Sequence, residues 1–462
     1  KVTTLTFLDS FDVVTARQHE AVLYSDGFDR PIQTRSLVES AQGNTALRYM
    51  VQDTAYNNIA TVQKTSLPYF SEGDSKTDFV TDQNLVTSLG YDAMSRVIAT
   101  TNVLGVSSVA FDDWQTTTTD AIGKVKILNY GARGQLVSVE EHNANAVYET
   151  EYEYSPAGNL TKIVDALDNE RNFTYDGVGR RVLAKDLHAQ ADDTFGVWQY
   201  EYDLAGNLIK RTDANGKVIV FSYDGINRLA SESVLGSPVA QKTYNYDTCQ
   251  NGVGRLCGVN TGSVSEEYGY DWLGQTISET KTIDGQIFIT GYAYDRQGSL
   301  IEIINPDSSS VKYEYNIAGQ QDTVLRKEVG GGYIDVVVNI DYAPTGAVSL
   351  QEYANGARTV NTYDSAKLYR LANKTTTLPL QSGGVKTVQN LSYTYDAVGN
   401  IISLRDSSEL STHKNVIYAY DDLHRLVSVQ TDLLNGQRPI VKTYQYDAIG
   451  NITASSDAGV YS

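Results

Sequence analysis

What most constrains this 462-residue chain is a short phrase that it keeps repeating. In "YEYDLAGNLIKRTDANGKVIVFSYDGINRL" a Tyr-Asp pair, a small turn and then Asn-Leu or Arg-Leu occur at Tyr202 and again at Tyr223. The tyrosine of the phrase, or of a degenerate version, stands at 130, 154, 175, 202, 223, 246, 270, 294, 315, 342, 363, 395, 420 and 446. The period is near 24 residues, with an earlier copy at Tyr91 and looser ones at Asp26 and Asp9. A fixed period of this length means one supersecondary unit per repeat, stacked on its neighbours.

The phrase reads as a turn. Its Asp (Asp176, Asp203, Asp224, Asp396, Asp447) can accept a backbone N–H two residues on, and the residue three further (Gly158, Gly179, Gly206, Gly399, Gly450) supplies positive φ. Where Gly is replaced, the substitutes are Asn227, His424, Ser95 and Asp29, three of them types that tolerate a left-handed backbone. The next residue alternates between Asn (Asn159, Asn207) and Arg (Arg180, Arg228), and again over Asn400, Arg425 and Asn451, so the unit of assembly is expected to be a pair of repeats.

Before each turn lies an alternating run such as "YETEYEY" ending at Tyr154, "VIVFSY" at Tyr223 or "KTYQY" at Tyr446, the pattern of a strand with one aromatic face. Tyr175, Tyr202 and Tyr395 end similar runs, and the aromatic stripe reads as packing rather than as a ligand platform. A second turn falls inside each period, for example "DAIGK" at 120–124, "DANGK" at 213–217, "IDGQ" at 283–286, "NPDSSS" at 305–310 and "YANGA" at 353–357, taken as tight hairpin signals. Two turns give two strands per period and roughly thirty strands in all, too many for an open twisted sheet, so the expected fold is all-β: an antiparallel hairpin array curled around a hollow. The boundaries expected are an irregular leading segment over 1–88 and a regular array over 89–462, continuous with it.

Composition fits a β-rich, turn-rich chain: 33 Tyr and 37 Gly against 2 Met and 3 Trp. A net charge of −19 without a basic cluster argues against nucleic acid, and no apolar run is long enough for a membrane span. His19, His142, His188, His413 and His424 are scattered without metal-ligand spacing, and no nucleophile elbow or phosphate loop occurs, so no catalytic residue, metal or cofactor is assigned. Cys249 and Cys257 flank four extra residues in "YDTCQNGVGRLCGV". A disulfide stapling this lengthened tip is one reading, pointing to a secreted or cell-surface protein; two packed free thiols are the other.

The phrases "YDLAGNLIKRTDANG", "YDGVGRRVL", "YDAVGNIISL" and "YDAIGNIT" resemble the YD repeats of the Rhs class, found in bacterial polymorphic toxins, the B and C components of Tc toxins, and teneurins. The resemblance covers about 90–455, and "YNNIATVQKTSLPYFSEGD" is similar to the irregular stretch leading into the repeats of Tc B components. It implies a spiral sheet forming a hollow shell, with the parent's own C-terminal effector domain or other parent segments as partners. The family's closing segment, with its aspartate protease, is not recognisable by "GNITASSDAGVYS", so no protease residue is carried over. The expected function is a structural shell fragment of a Tc or Rhs toxin. The alternative is a cell-surface YD-repeat adhesin binding glycans or proteins; an enzyme acting on polysaccharide has no motif behind it.

Overall fold

A computed structural model describes residues 1–7, 18–38, 48–186, 196–237, 241–408, 413–433 and 440–460; Asp9 and His188 lie outside them. Among the described residues the chain forms one antiparallel sheet of 39 strands, hydrogen-bonded in sequence order except that Tyr69–Glu72 pairs with Arg48–Tyr56 and Val62–Ser66 pairs with Val86–Tyr91. The only helical segments among the described residues are two single 3₁₀ turns, Gln83–Leu85 and Ser365–Lys367. Between Val125 and Tyr446 there are twenty-seven strands, two per period. The count exceeds the thirty expected because the leading segment is itself built of strands, and because the interval from Tyr91 to Tyr130 holds an additional hairpin (Gly105–Asp112 and Gln115–Thr119). The strand Arg48–Tyr56 is a branch point: it pairs with Pro31–Val38 on one side and with Val62–Ser66 and Tyr69–Glu72 on the other.

The turns differ from the sequence reading on one edge of the sheet. "DAIGK", "DANGK", "NPDSSS" and "YANGA" were expected to be tight two-residue hairpins, and only "IDGQ" is one, with Asp284 and Gly285 both at positive φ. The others are the same five-residue turn as the Tyr-Asp phrase: Asp213 N donates to Lys217 O at 2.9 Å and Gly216 N to Asp213 O at 2.9 Å. The Gly at the fourth position, or Asp168 and Ser308 in equivalent turns, carries the positive φ that the five-residue closure needs. One turn chemistry therefore serves both edges.

The sheet is one layer thick. Its accessible surface is 26537 Å², against roughly 17,000 Å² for a compact 50.7-kDa monomer. Among the described residues only ten hydrophobic side chains are buried. The strand Ala146–Tyr154 shows why: Tyr148, Thr150, Tyr152 and Tyr154 are half-buried on one face while Val147, Glu149, Glu151 and Glu153 are exposed on the other. The aromatic stripe packs laterally along the sheet, as where Tyr393 stacks on Tyr395 at 6.5 Å, rather than into an enclosed core. The thickest region is the leading segment, where the buried Arg35 donates to Ser71 Oγ and Gly73 O at 2.9 Å and the buried Asp53 accepts from Gln33, Tyr69 and the backbone of Val80.

The ribbon winds back on itself. Ile317 packs on the buried cluster of Leu37, Tyr49 and Val51. The turn Gln83–Leu85 meets Ser365–Lys367. Asp422 meets Lys124, Asn143 and Ala144 across sequence separations of 278 to 298 residues. Leu136–Asn143 and His413–Tyr420 are twenty-three strands apart, so one circuit measures about 110 Å at ~4.8 Å per strand and has a diameter of at least roughly 35 Å. No side chain fills such a span, and the sheet therefore surrounds open space.

Candidate functional site

The repeat turn and the seam between successive circuits are the two arrangements that give the chain its shape. In the turn at Asp203, Asp203 N donates to Asn207 O at 2.9 Å and Gly206 N to Asp203 O at 3.2 Å. The carboxylate does the rest: Oδ1 accepts from Asn207 N at 2.8 Å and Oδ2 from Asn207 Nδ2 at 2.9 Å. Asp396 with Asn400 and Asp447 with Asn451 repeat the pattern. Asp176 and Asp224 hold Arg180 and Arg228 instead, through backbone N at 2.9 Å and guanidinium Nε at 2.7 Å. In the copy at Tyr154, Ser155 replaces the acid, and its Oγ accepts from Asn159 N at 3.2 Å. Gly158, Gly179, Gly206, Gly399 and Gly450 all have positive φ, as do Asp29, Ser95, Asn227 and His424. Ser95 thus occupies the same left-handed position although its residue type gives little sign of it.

Two links between repeats carry no sequence signal of their own. The motif tyrosine donates its hydroxyl to a carbonyl at the start of the strand after the preceding turn, on its first residue or, for Leu371, its second: Tyr202 to Arg181 O, Tyr223 to Leu208 O and Tyr395 to Leu371 O at 2.9 Å, and Tyr446 to Leu426 O at 2.8 Å. Tyr154 and Tyr175 end their strands in the same place. The arginine of each Arg-type turn reaches forward: Arg180 Nη1 to Asp203 O at 2.8 Å, Arg425 Nη1 to Asp447 O at 2.9 Å, and Arg228 to both oxygens of Asp247. The same guanidiniums lie 4.9, 4.8 and 4.4 Å from the rings of Tyr202, Tyr446 and Tyr246. An Arg-type turn therefore clamps the turn after it, which gives the Asn/Arg alternation a physical cause.

Cys249 and Cys257 are joined in a disulfide with Cα atoms 5.4 Å apart, closing the long turn from Asp247 to Arg255. Arg228, then the backbone N–H of Gly254, hold the Asp247 carboxyl down at about 2. The Asn207 amide lowers Asp203, and the Arg228 backbone N–H lowers Asp224. Depressed carboxylates stabilise the fold above their unfolded values and lose that contribution as pH falls toward the folded values. Thermal melts followed by tyrosine fluorescence should therefore be flat from neutral pH to pH ~5 and fall between pH ~4 and ~2, with no loss on the alkaline side from these groups.

At the seam, Asp422 Oδ2 accepts from Ala144 N at 2.9 Å, Asp422 N donates to Asn143 Oδ1 at 3.1 Å, and Lys124 pairs with Asp422. His424 Nε2 lies 3.0 Å from Asp120 Oδ2, and Arg425 lies over the Tyr148 ring at 5.7 Å. A cleft of about 460 Å³ opens at the other end of the seam, between Leu37, Arg48 and Phe70 of one circuit and Asn316, Asp341 and Tyr342 of the next. Among the described residues no group of three His, Cys, Asp or Glu is placed to hold a metal, and no helix is long and apolar enough to cross a membrane. The seam brings the turn that carries His424 against Asn143, next to His142, while His19 lies on the strand Gln18–Ser25.

The RHS repeat model matches residues 197–234, the stretch around Tyr202 and Tyr223. A toxin subunit of Yersinia entomophaga, YenC2, is 26% identical over 211 residues, which is 39% of this chain and 22% of the relative. Among solved structures, TcdB2-TccC3 superposes with a TM-score of 0.84 at 18% identity, over 99% of this chain and 27% of that one. The Photorhabdus luminescens Tc holotoxin pore gives 0.84 at 18% over 99% and 26%. The chain thus spans about a fifth of the curated relative and about a quarter of the solved chains.

Proposed function

We propose that this chain, an RHS-repeat protein with the fold of the Tc toxin shell, is a wall segment of such a shell and helps to enclose a toxin effector domain. The observation that carries the reading is the wound, single-layer sheet: a surface of 26537 Å² around a space too wide for side chains to fill. The Tyr, Asp, Gly, Asn and Arg of the repeats are structural in this reading, setting turn geometry and linking neighbours, and none acts as a catalytic residue. A disulfide within an exposed turn suits an oxidising, extracellular setting. The partner is an effector domain of the parent protein, held by enclosure rather than by a specific pocket.

Enclosure makes the two faces of one strand unequal. Glu151 and Tyr152 point to opposite faces of Ala146–Tyr154. With Glu151→Cys and Tyr152→Cys variants, a small maleimide should label both, whereas a maleimide carried on a bulky polymer should label only the outer one. With a small folded domain fused after Ser462, the inner position should also become shielded from the small reagent. Equal labelling of both faces by the bulky reagent, or an inner position indifferent to the fused domain, would contradict enclosure.

A further inference from the structure

The cleft at the seam is walled by strands from the interior of the sheet. One wall is Arg48–Tyr56, paired with Pro31–Val38 and with Tyr69–Glu72; the other is Tyr333–Tyr342, paired with Gln321–Lys327 and with Val348–Tyr353. Register places Phe70 opposite Met50, and Arg48 follows on the same face two residues away. The second circuit answers with Ile340 and Asp341. About 460 Å³ of mostly apolar space lies between the walls, a volume suited to a small molecule.

Arg48 is the unusual member of this cleft. Its guanidinium lies 3.3 Å from the centre of the Phe70 ring, so the aromatic covers one face of the fork and leaves the in-plane N–H groups to another partner. Arg48 nevertheless makes no hydrogen bond or ion pair with any described residue. Glu72, opposite it in the register, is exposed and does not pair with it. Burial works against the Arg48 charge, and the charge that favours it is Asp341, which belongs to the other circuit. Asp341 in turn receives only a long contact, 3.5 Å from Asn339 Nδ2. Burial also pushes the lining His19 down, so it brings no charge to the cleft at neutral pH. The site therefore presents one cation and one anion on facing walls, each short of a hydrogen-bonding partner, in an otherwise apolar space. Partly desolvated charges left in that state are costly.

We infer that this cleft binds a free α-amino acid with a large apolar side chain. The carboxylate takes the N–H fork of Arg48, the ammonium faces Asp341, and the side chain fills the space beside Met50, Phe70 and Ile340. A plain carboxylate would meet the repulsion of Asp341 and a plain amine that of Arg48, so each wall rejects a ligand that satisfies only the other. Because the two charges stand on different circuits, the bound amino acid bridges the seam and stabilises the closed circuit through its binding free energy.

Isothermal titration of the intact chain with L-phenylalanine and L-leucine tests this. Both should bind, whereas glycine, phenylacetate and phenethylamine, which lack the apolar body, the ammonium and the carboxylate respectively, should bind about tenfold more weakly or worse. Arg48→Met keeps the side-chain stem against Phe70, Asp341→Asn keeps the shape of its residue, and each should retain the β-sheet circular dichroism while weakening L-phenylalanine by a similar factor. Asp341→Asn should also change the preference, admitting phenylacetate as well as L-phenylalanine, which a merely structural aspartate would not do. L-phenylalanine should raise the melting temperature of the wild type and leave that of Arg48→Met unchanged. No binding of either amino acid up to its solubility limit would overturn the proposal, as would binding that survives both substitutions or a wild type that prefers phenylacetate. None of these outcomes bears on the open space inside the ribbon, so failure here leaves the shell reading standing.

Discussion

Asp396→Ala should destabilise the chain by about 1–3 kcal/mol, the cost of leaving backbone donors without their acceptor. Asp396 Oδ1 accepts from the backbone N–H groups of Val398, Gly399 and Asn400 at 3.1, 2.8 and 2.9 Å, and Oδ2 accepts from Asn400 Nδ2 at 2.8 Å. Alanine removes all four bonds, and Gly399 loses a bond that helps to hold its φ of 114°. Asp396→Asn should cost much less, because Asn already serves in this position elsewhere: Asn316 Oδ1 accepts from Ala318 N and Gln320 N, both at 3.0 Å. In a linear array the damage stays local, so the Ala variant should show a separate early transition in the denaturation curve rather than a uniform shift. Urea denaturation followed by tyrosine fluorescence checks both the size and the shape of the effect, and an Ala variant indistinguishable from wild type would remove the carboxylate from the list of turn determinants.

Gly252→Ala should be at least as damaging. A Cβ at this position would stand 2.3 Å from Cys249 Sγ, 2.5 Å from Cys257 Sγ and 2.9 Å from Cys249 O. No flexible side-chain end is available to move aside, so either the turn shifts or the two sulfurs separate, at a cost of about 2 kcal/mol or more. Gly225→Ala, in an ordinary Tyr-Asp turn with nothing within 4 Å of the added Cβ, is the neutral control. Alkylation followed by intact-mass measurement should find free thiols in the Gly252→Ala variant or, if the bond survives, a lowered melting temperature; full oxidation with unchanged melting would contradict the crowding.

The sequence carries the turn and the period because both are local. A carboxylate at the first position of a turn and a residue tolerant of positive φ at the fourth are chemical requirements, and Asp203 with Gly206 or Asp224 with Asn227 display them directly. The alternation of Asn207 and Arg228 is visible in the letters, yet its cause is not, since the forward reach of Arg228 to Asp247 depends on how two hairpins lie side by side. "DANGK" misled for a related reason: its Asn-Gly pair imitates a two-residue hairpin, whereas the Asp213 carboxylate draws it into the five-residue form. The seam is the least legible part. Nothing around Lys124 or Asn143 points to Asp422, because contacts 278 to 298 residues apart follow from accumulated sheet curvature and not from any local pattern. Likewise the full exposure of Leu204 and the partial burial of Ile317, at equivalent turn positions, follow from what the winding places against each.

Everything proposed for this chain depends on the ribbon closing a circuit around empty space. Cryo-electron microscopy of the isolated chain reads this directly. Averages viewed down the winding axis should show a ring one sheet thick around an unfilled centre of about 25 Å, the circuit diameter less roughly 5 Å of side chain on each side. They should also show a seam where the second circuit begins. A filled disc or a flat, unclosed ribbon would contradict it.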